Sequence, residues 1–587
     1  MPDAEPPAQT FTFSEVALSE HAINSIQNHA MKASGIRKGE RLRGGNGGWN
    51  FVFLGLCLTL VGALAETLPQ TKLTARSRSI GFDREKDSEF VDVVNRVNSA
   101  FEESWRKAGL QPPPAALLLT VARRLSLGLT GTLPSLEEIR ALEAESDPTG
   151  QGWLTRLFAD RRFSDYLAER LARAYVGVED GPFLIYRRHR MVDWLSEQIQ
   201  RNRPYDEIVR QLIDARGIWT TQPEVNFITV TVDQNEKGKG PDEMKLAGRV
   251  SRAFLGVRLN CVQCHDDFLG DRWKQKDFHE LAAFFAPADM SLTGVQDDLT
   301  RKYRVRYHGR KEEEEVKPAV PFQSELLQTE GTLRERLARW VTHPQNRAFA
   351  RTTVNRLWAL LFNRPLVEPV DDIPLEGPFP PGFEILADDL VAHHYNLQRL
   401  IRLIAATRVF QLDSAAPDQP QGVTEAHEKS FAAFPLTRLR PEQMAGGVIQ
   451  ASSLHTINAE SHVIFRISRA LQLNEFLKRY GDVGEDEFNS RSGTVAQRLL
   501  LMNGRLVSER SEENIALNAS TRIALLAPDD AAAVESAYLC VLTRRPTAAE
   551  RDYFGESLKG RKGKERFRVM EDLFWTLLNS TEFSWNH

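Results

Sequence analysis

Disulfides are not what holds this chain together. Its 587 residues include only four cysteines, Cys57, Cys261, Cys264 and Cys540, too few and too scattered for a cross-linked framework. An excess of one charge is also missing. Lys and Arg number 75 against 79 Asp and Glu, a net charge of −4, so no electrostatic footprint for nucleic acid is present and no such partner is expected. The basic run Arg187-Arg188-His189-Arg190 reads as a solvated helix face. Several catalytic signatures are absent: no Gly-x-Ser-x-Gly elbow, no phosphate-binding Walker loop, no dinucleotide fingerprint and no His-Glu-x-x-His. No short-period repeat signals a solenoid. Alternating strand patterns are scarce; residues 226–232 and 303–307 are the best candidates.

What is present begins with apolar content of 42%, enough for folded domains and too much for global disorder. A chain of this length is expected to divide into two or three domains. One long apolar run exists, Phe51 to Ala65, preceded by Lys32, Arg37, Lys38, Arg41 and Arg43 and closed by Ala63-Leu64-Ala65 before Glu66. A basic flank, an apolar core and an Ala-x-Ala site are the parts of a secretory signal. As a helix the run spans roughly 22 Å, short of the ~30 Å hydrocarbon core, which favours cleavage after Ala65 over a permanent anchor. Met31 makes a more ordinary start for such a signal than Met1. The protein is therefore expected in the periplasm or at the cell surface, touching a membrane only through this N-terminal segment if it stays uncleaved.

Beyond Ser88 the apolar residues recur at helical spacing. Trp153, Leu154, Leu157 and Phe158 form one stripe; Met191, Trp194, Leu195 and Ile199 a second; Leu333, Leu337, Trp340 and Val341 a third, each with the 3.6-residue period. Residues 291–330 lose this period, carry the acidic run Glu312 to Glu315, and include Pro318 and Pro321, so they read as a linker. The expected organisation is a leader over 1–65, a linker over 66–87, a helical domain over 88–290, a linker over 291–330 and a second helical domain over 331–587. The fold class is mainly α, two helical domains with few short strands, preceded by a signal peptide or signal anchor.

The distinctive chemistry is Cys261-Val262-Gln263-Cys264-His265. Two thiols three residues apart share one side of a helical turn, and can form thioethers to the two vinyl groups of a haem while the adjacent imidazole takes an axial iron position. Phe254-Leu255-Gly256-Val257 are apolar enough to wall a macrocycle, and export suits c-type haem attachment. Three rival readings stand: a zinc site that borrows His265, His279 or Asp271, a redox pair or local disulfide, and an inert structural remnant. Met290, His279 and His308 are candidates by type for the sixth ligand, with His279 expected at the surface. A separate cluster, Glu368, Asp371 and Asp372, offers hard oxygen donors for a divalent metal, or turn caps and ion pairs with Arg356 or Arg364. His393 and His394 point to different helix faces and cannot share a metal alone. Cys540 reads as an inert core thiol.

Ordered blocks extend well beyond this motif. Leu125-Ser126-Leu127-Gly128-Leu129-Thr130-Gly131, Asn202-Arg203-Pro204-Tyr205-Asp206 and Cys261 to Asp266, followed by Trp273, Gln275, Asp277 and Leu281 to Phe285, make one set. Val354-Asn355-Arg356-Leu357-Trp358, Leu366 to Asp372, Arg438-Leu439-Arg440-Pro441-Glu442-Gln443, Thr543-Arg544-Arg545-Pro546-Thr547 and Leu577 to Phe583 make another. With these blocks the chain resembles planctomycete-type exported proteins that pair two domains of unknown function, 1549 (cytochrome-like, with the Cys-x-x-Cys-His motif) and 1553. The resemblance implies fold and location but no settled activity. Relatives of this type often have His-Asp-His where this chain has His265-Asp266-Asp267, and Gly-Arg-Gly where it has Asn363-Arg364-Pro365. The leading functional expectation is a c-type cytochrome-like protein with one haem at Cys261, Cys264 and His265, passing electrons to a redox or envelope partner. A non-catalytic envelope component and a metal-dependent hydrolase using Glu368, Asp371 and Asp372 are the alternatives.

Overall fold

The three stripes become three helices. Trp153, Leu154, Leu157 and Phe158 are buried on the helix Gln151–Ala159, Met191, Leu195 and Ile199 on Arg188–Gln200, and Leu337, Trp340 and Val341 on Leu333–Val341. Local sequence starts several helices: in the capping boxes Ser135/Glu138, Thr332/Glu335 and Thr547/Glu550, each hydroxyl accepts from a backbone N–H and each carboxylate accepts in return, which satisfies two otherwise orphaned donors. The computed structural model describes residues 88–587 except 146–149, 179–185, 233–239, 268–271, 292, 308–309, 417–421, 459–460, 462–471, 474, 481–487, 489–493 and 516. The expected leader and Cys57 lie outside the described residues. Among those described there are 23 α-helices and three antiparallel strand pairs: Ala288–Ser291 with Gly294–Asp297, Arg304–Val305 with Glu314–Glu315, and Thr437–Arg438 with Trp585–Asn586. None of the described helices is long and apolar enough to cross a membrane.

The strand expected at 226–232 is a correction. Pro223–Val225 is a short 3-10 turn and Asn226–Thr229 an α-helical turn. Asn226 decides it: its side chain donates to the Pro223 and Trp219 carbonyls at 2.8 and 3.1 Å and accepts from the Arg187 N–H at 2.6 Å. These local bonds coil the backbone, and the β-branched residues are simply buried, so tertiary context overrides propensity. The other expected strand is present as Arg304–Val305.

The described residues fall within one compact unit, Ser77–His587. One apolar cluster runs from Phe90 to Phe434, and a second gathers Leu439 to Phe583 with Leu127 and Leu133. The helix Leu118–Thr130 serves both, giving Leu125 and Leu129 to the first and Leu127 to the second. Its buried Arg124 donates to the carbonyls of Phe410, Leu412 and His587 at 2.9, 2.8 and 2.8 Å, fixing the chain end against the first cluster; burial pulls this guanidinium down to about 9. Residues 291–330, read as a linker, bury Val295, Tyr303, Val316 and Val320 in the first cluster.

Candidate functional site

The Cys-x-x-Cys-His segment follows the helix Glu243–Leu255. That helix starts on Asp242, whose carboxylate accepts from the Lys245 N–H at 2.9 Å, and stops at Gly256. Gly256 has a left-handed φ of +60°, and a Cβ there would stand 2.5 Å from the Thr352 hydroxyl. Its carbonyl accepts from the Ile373 N–H at 2.7 Å. Only glycine turns the chain this sharply while lying against a neighbouring helix. The chain then enters the 3-10 turn Asn260–Gln263.

The residues expected to wall a macrocycle do not do so. Phe254, Leu255 and Val257 are fully buried, with Phe254 packed 4.9 Å from the Tyr175 ring and 5.9 Å from Phe227. They face inward and hold the turn to the core. The reactive groups face outward: Cys261 and Cys264 are free and exposed, and His265 is exposed as well. The Cys261 thiol donates to the Arg258 carbonyl at 3.1 Å. His265 Nδ1 lies 2.8 Å from the Asp266 carbonyl oxygen. A carbonyl only accepts, so Nδ1 is the donor and Nε2 is the nitrogen left to serve as a ligand, the arrangement of a metal-ligating histidine.

Behind the turn stands His279, which is buried rather than at the surface as expected. Its Nε2 donates to the Gln263 carbonyl at 3.1 Å, which leaves Nδ1 to accept from the Tyr303 hydroxyl at 2.8 Å. Both ring nitrogens are committed, so His279 is not available as a sixth iron ligand. His279 stands three residues before Ala282 and seven before Ala286, both buried, a spacing that could have placed it inward. Gln275 adds a second bond to the Gln263 carbonyl at 3.1 Å, and its backbone N–H donates to Asp266 at 2.8 Å. Met290 is half-buried in the 288–297 hairpin, and His308 and Asp271 lie outside the described residues.

Burial holds His279 below its ordinary value of 6.5. The unfolded chain takes up the proton first, so the contribution of His279 to stability is complete above pH 6.5 and is lost as pH falls toward the depressed folded value. His279→Phe is expected to cost about 2–3 kcal/mol, because the Gln263 carbonyl and Tyr303 hydroxyl lose their buried partner. Urea unfolding at pH values on both sides of the transition checks both the loss and its flattened pH dependence.

The second expected cluster is not gathered into a metal site. Glu368 is exposed and pairs with Arg364 at 2.9 Å. Asp371 is buried and accepts from Arg258 Nε and a terminal nitrogen at 2.9 and 2.7 Å, with Arg252 at 3.9 Å. The Asp372 N–H closes a turn onto the Pro369 carbonyl at 3.3 Å. Among the described residues no group of three or more His, Cys, Asp or Glu side chains stands close enough to hold a metal ion. Asp371 instead clamps Arg258, three residues before Cys261, which sequence reading paired with other arginines. The variant loop at Asn363 adopts the left-handed conformation at φ 58°. Asn tolerates this better than most residues, and its side chain also donates to the Arg438 carbonyl at 2.8 Å. Cys540 is buried, and burial pushes its thiol up to about 12, which leaves it inert.

Two family models match the chain. Residues 96–290 match a protein of unknown function, DUF1549, also called PSCyt2, and residues 333–469 match a second, DUF1553, also called PSD1. The first match contains Cys261, Cys264 and His265, and the second contains Glu368, Asp371 and Asp372. No curated protein and no solved structure matches the chain.

Proposed function

Because the chain belongs to the proteins that pair the two domains of unknown function 1549 and 1553, we propose that it is an exported, c-type cytochrome-like protein carrying one haem at Cys261, Cys264 and His265. Its use is electron transfer to a partner in the envelope, and the Phe51 to Ala65 run directs its export. The observation that carries this reading is the protonation pattern of His265: the Asp266 carbonyl holds the Nδ1 proton and leaves Nε2 as a ligand, beside two free, exposed thiols on the same turn.

The donor set fits a covalently held haem. Cys261 and Cys264 would carry the thioethers and His265 would ligate the iron; the group, when bound, would supply a reversible one-electron change. The remaining work falls to the chain. The Asp266 carbonyl orients the His265 ring. His279 and Gln275 fix the Gln263 carbonyl from behind, and Asp371 fixes Arg258 ahead of the first cysteine. With Phe254, Leu255 and Val257 committed to the core, a haem here would be solvent-exposed, which suits contact with a partner and is one of the terms that set its potential.

Expression in a host that attaches c-type haem tests the reading. The wild-type chain is expected to show a Soret band and to keep its haem through denaturing electrophoresis. Cys261→Ser with Cys264→Ser is expected to lose it on denaturation, and His265→Ala to keep the attachment with a shifted band. A colourless, iron-free wild type from that host would overturn the haem reading in favour of a non-catalytic envelope component.

A further inference from the structure

A helix with apolar residues on opposite sides has a second face to cover. The helix Val495–Asn503 is of this kind. Inward, Leu501 is buried in the second apolar cluster. Outward, Val495, Leu499 and Met502 stand four and three residues apart, so they form one stripe. That stripe meets solvent: Val495 is 76% exposed and Leu499 51%. Trp575, on the helix Gly563–Leu578, extends it. The indole is exposed, and its N–H donates to the Met502 carbonyl at 3.4 Å. Lone exposed apolar side chains are ordinary, but several together mark a surface made to meet another molecule.

The rim of this surface is acidic. Glu571 and Asp572 lie four and three residues before Trp575 on the same helix, one turn away on the same side. Glu512 and Glu513 follow the helix Arg505–Ser511 and are both exposed. Burial first, and then Asp572, Glu512 and Glu513, push the Glu571 carboxyl above its ordinary value of 4.5, with Arg568 opposing. Two further arginines are engaged: Arg505 pairs with Glu509 at 2.8 Å, and Arg498 donates to the Asn579 carbonyl. The carboxylates outnumber Arg568, and the rim is negative.

We propose that Val495, Leu499, Met502 and Trp575 form a docking surface for a basic amphipathic helix of a partner protein, whose apolar side lies on the stripe and whose Lys or Arg residues meet Glu512, Glu513, Glu571 and Asp572. Anchors at i, i+3 and i+4 on such a helix fit a stripe of this kind, and Trp is among the side chains that carry most of the energy in such contacts. A second copy of this chain would bring acidic rim against acidic rim, which repels. An anionic lipid surface is repelled in the same way. The surface uses none of the residues of the haem reading, so each stands or falls alone.

A helical model peptide of leucine and lysine, with its leucines on one face, is titrated into the full chain by calorimetry. Its glutamate-for-lysine counterpart and a scrambled peptide of the same composition are the controls. Saturable binding of the first is expected, at least tenfold tighter than either control. Leu499→Asp is expected to weaken it at least tenfold, and so is Glu571→Gln combined with Asp572→Asn. Leu299→Asp, at an exposed leucine outside this surface, should bind as wild type. No saturable binding, equal binding of the scrambled peptide, or unchanged affinity in either surface variant would overturn the proposal. A wild-type dimer in sedimentation that Leu499→Asp dissolves would give the face to a second copy instead. Wild-type binding to phosphatidylglycerol vesicles that Leu499→Asp abolishes would give it to a membrane; either result also overturns the proposal.

Discussion

Asp297→Ala is expected to destabilise the folded chain by about 3–5 kcal/mol, the cost of leaving a buried charge without its partner. Arg334 is fully buried, and its Nε donates to Asp297 Oδ1 at 2.8 Å while a terminal nitrogen stands 2.7 Å from the same oxygen. The guanidinium also donates to the carbonyls of Ala215 and Ile213 at 2.7 and 3.4 Å, and Arg216 reaches the other carboxylate oxygen at 3.1 Å. This knot ties the 294–297 strand, the helix Leu333–Val341 and the end of the helix Tyr205–Ile213. Burial lowers the Arg334 pKa and Asp297 opposes that shift, so the pair works only as a pair. Removing the carboxylate strands the cation, whereas Asp297→Leu combined with Arg334→Met should recover most of the loss. Asp298→Ala, at an exposed turn where the carboxylate accepts from the Thr300 N–H and hydroxyl, should leave the midpoint near wild type. Guanidinium chloride unfolding of the four proteins decides it; Asp297→Ala within about 1 kcal/mol of wild type would dismiss the pair as a determinant of stability.

The second large effect is at Glu442 and is written in pH. Burial alone pushes its carboxyl up, but Arg170, Arg440 and Arg173 outweigh that and bring it from 4.5 to about 2. A depressed folded value means that the stabilisation is present above the unfolded value, 4.5, and is lost as pH falls toward 2. The span corresponds to a contribution of order 3 kcal/mol. Glu442→Ala is accordingly expected to cost about 3–5 kcal/mol near neutral pH, because it removes the carboxylate that Arg170 and Arg440 share. It should cost much less near about pH 3, because the wild type has by then lost part of the same contribution. Denaturant midpoints at the two pH values test this. An equal loss at both would show that Glu442 acts through packing rather than charge.

Much of the architecture was written locally. The helices at 151–159, 188–200 and 333–341 follow from spacing that any helix must obey, and the capping boxes at Ser135, Thr332 and Thr547 are contiguous signals. Cys261, Cys264 and His265 were also legible, because their chemistry depends on residues within one turn. The apolar content of Phe254, Leu255 and Val257 was equally plain, but its use was not: sequence gives the character of a side chain and not the element it meets. The same gap hid His279, whose partners lie sixteen and twenty-four residues away.

Sequence by itself determined that this is a helical chain with few strands, that it carries the two paired domains, and that one turn presents two thiols and an imidazole. These are matters of period and adjacency, which local backbone geometry imposes. Only the tertiary structure decided that Asp371 serves Arg258 rather than a metal, that residues 291–330 hold the carboxylate for Arg334, and that Glu442 answers both Arg170 and Arg440. The reason is physical. A charged side chain acquires its role from what surrounds it once water is removed, and those surroundings come from segments that the chain brings together across tens to hundreds of residues.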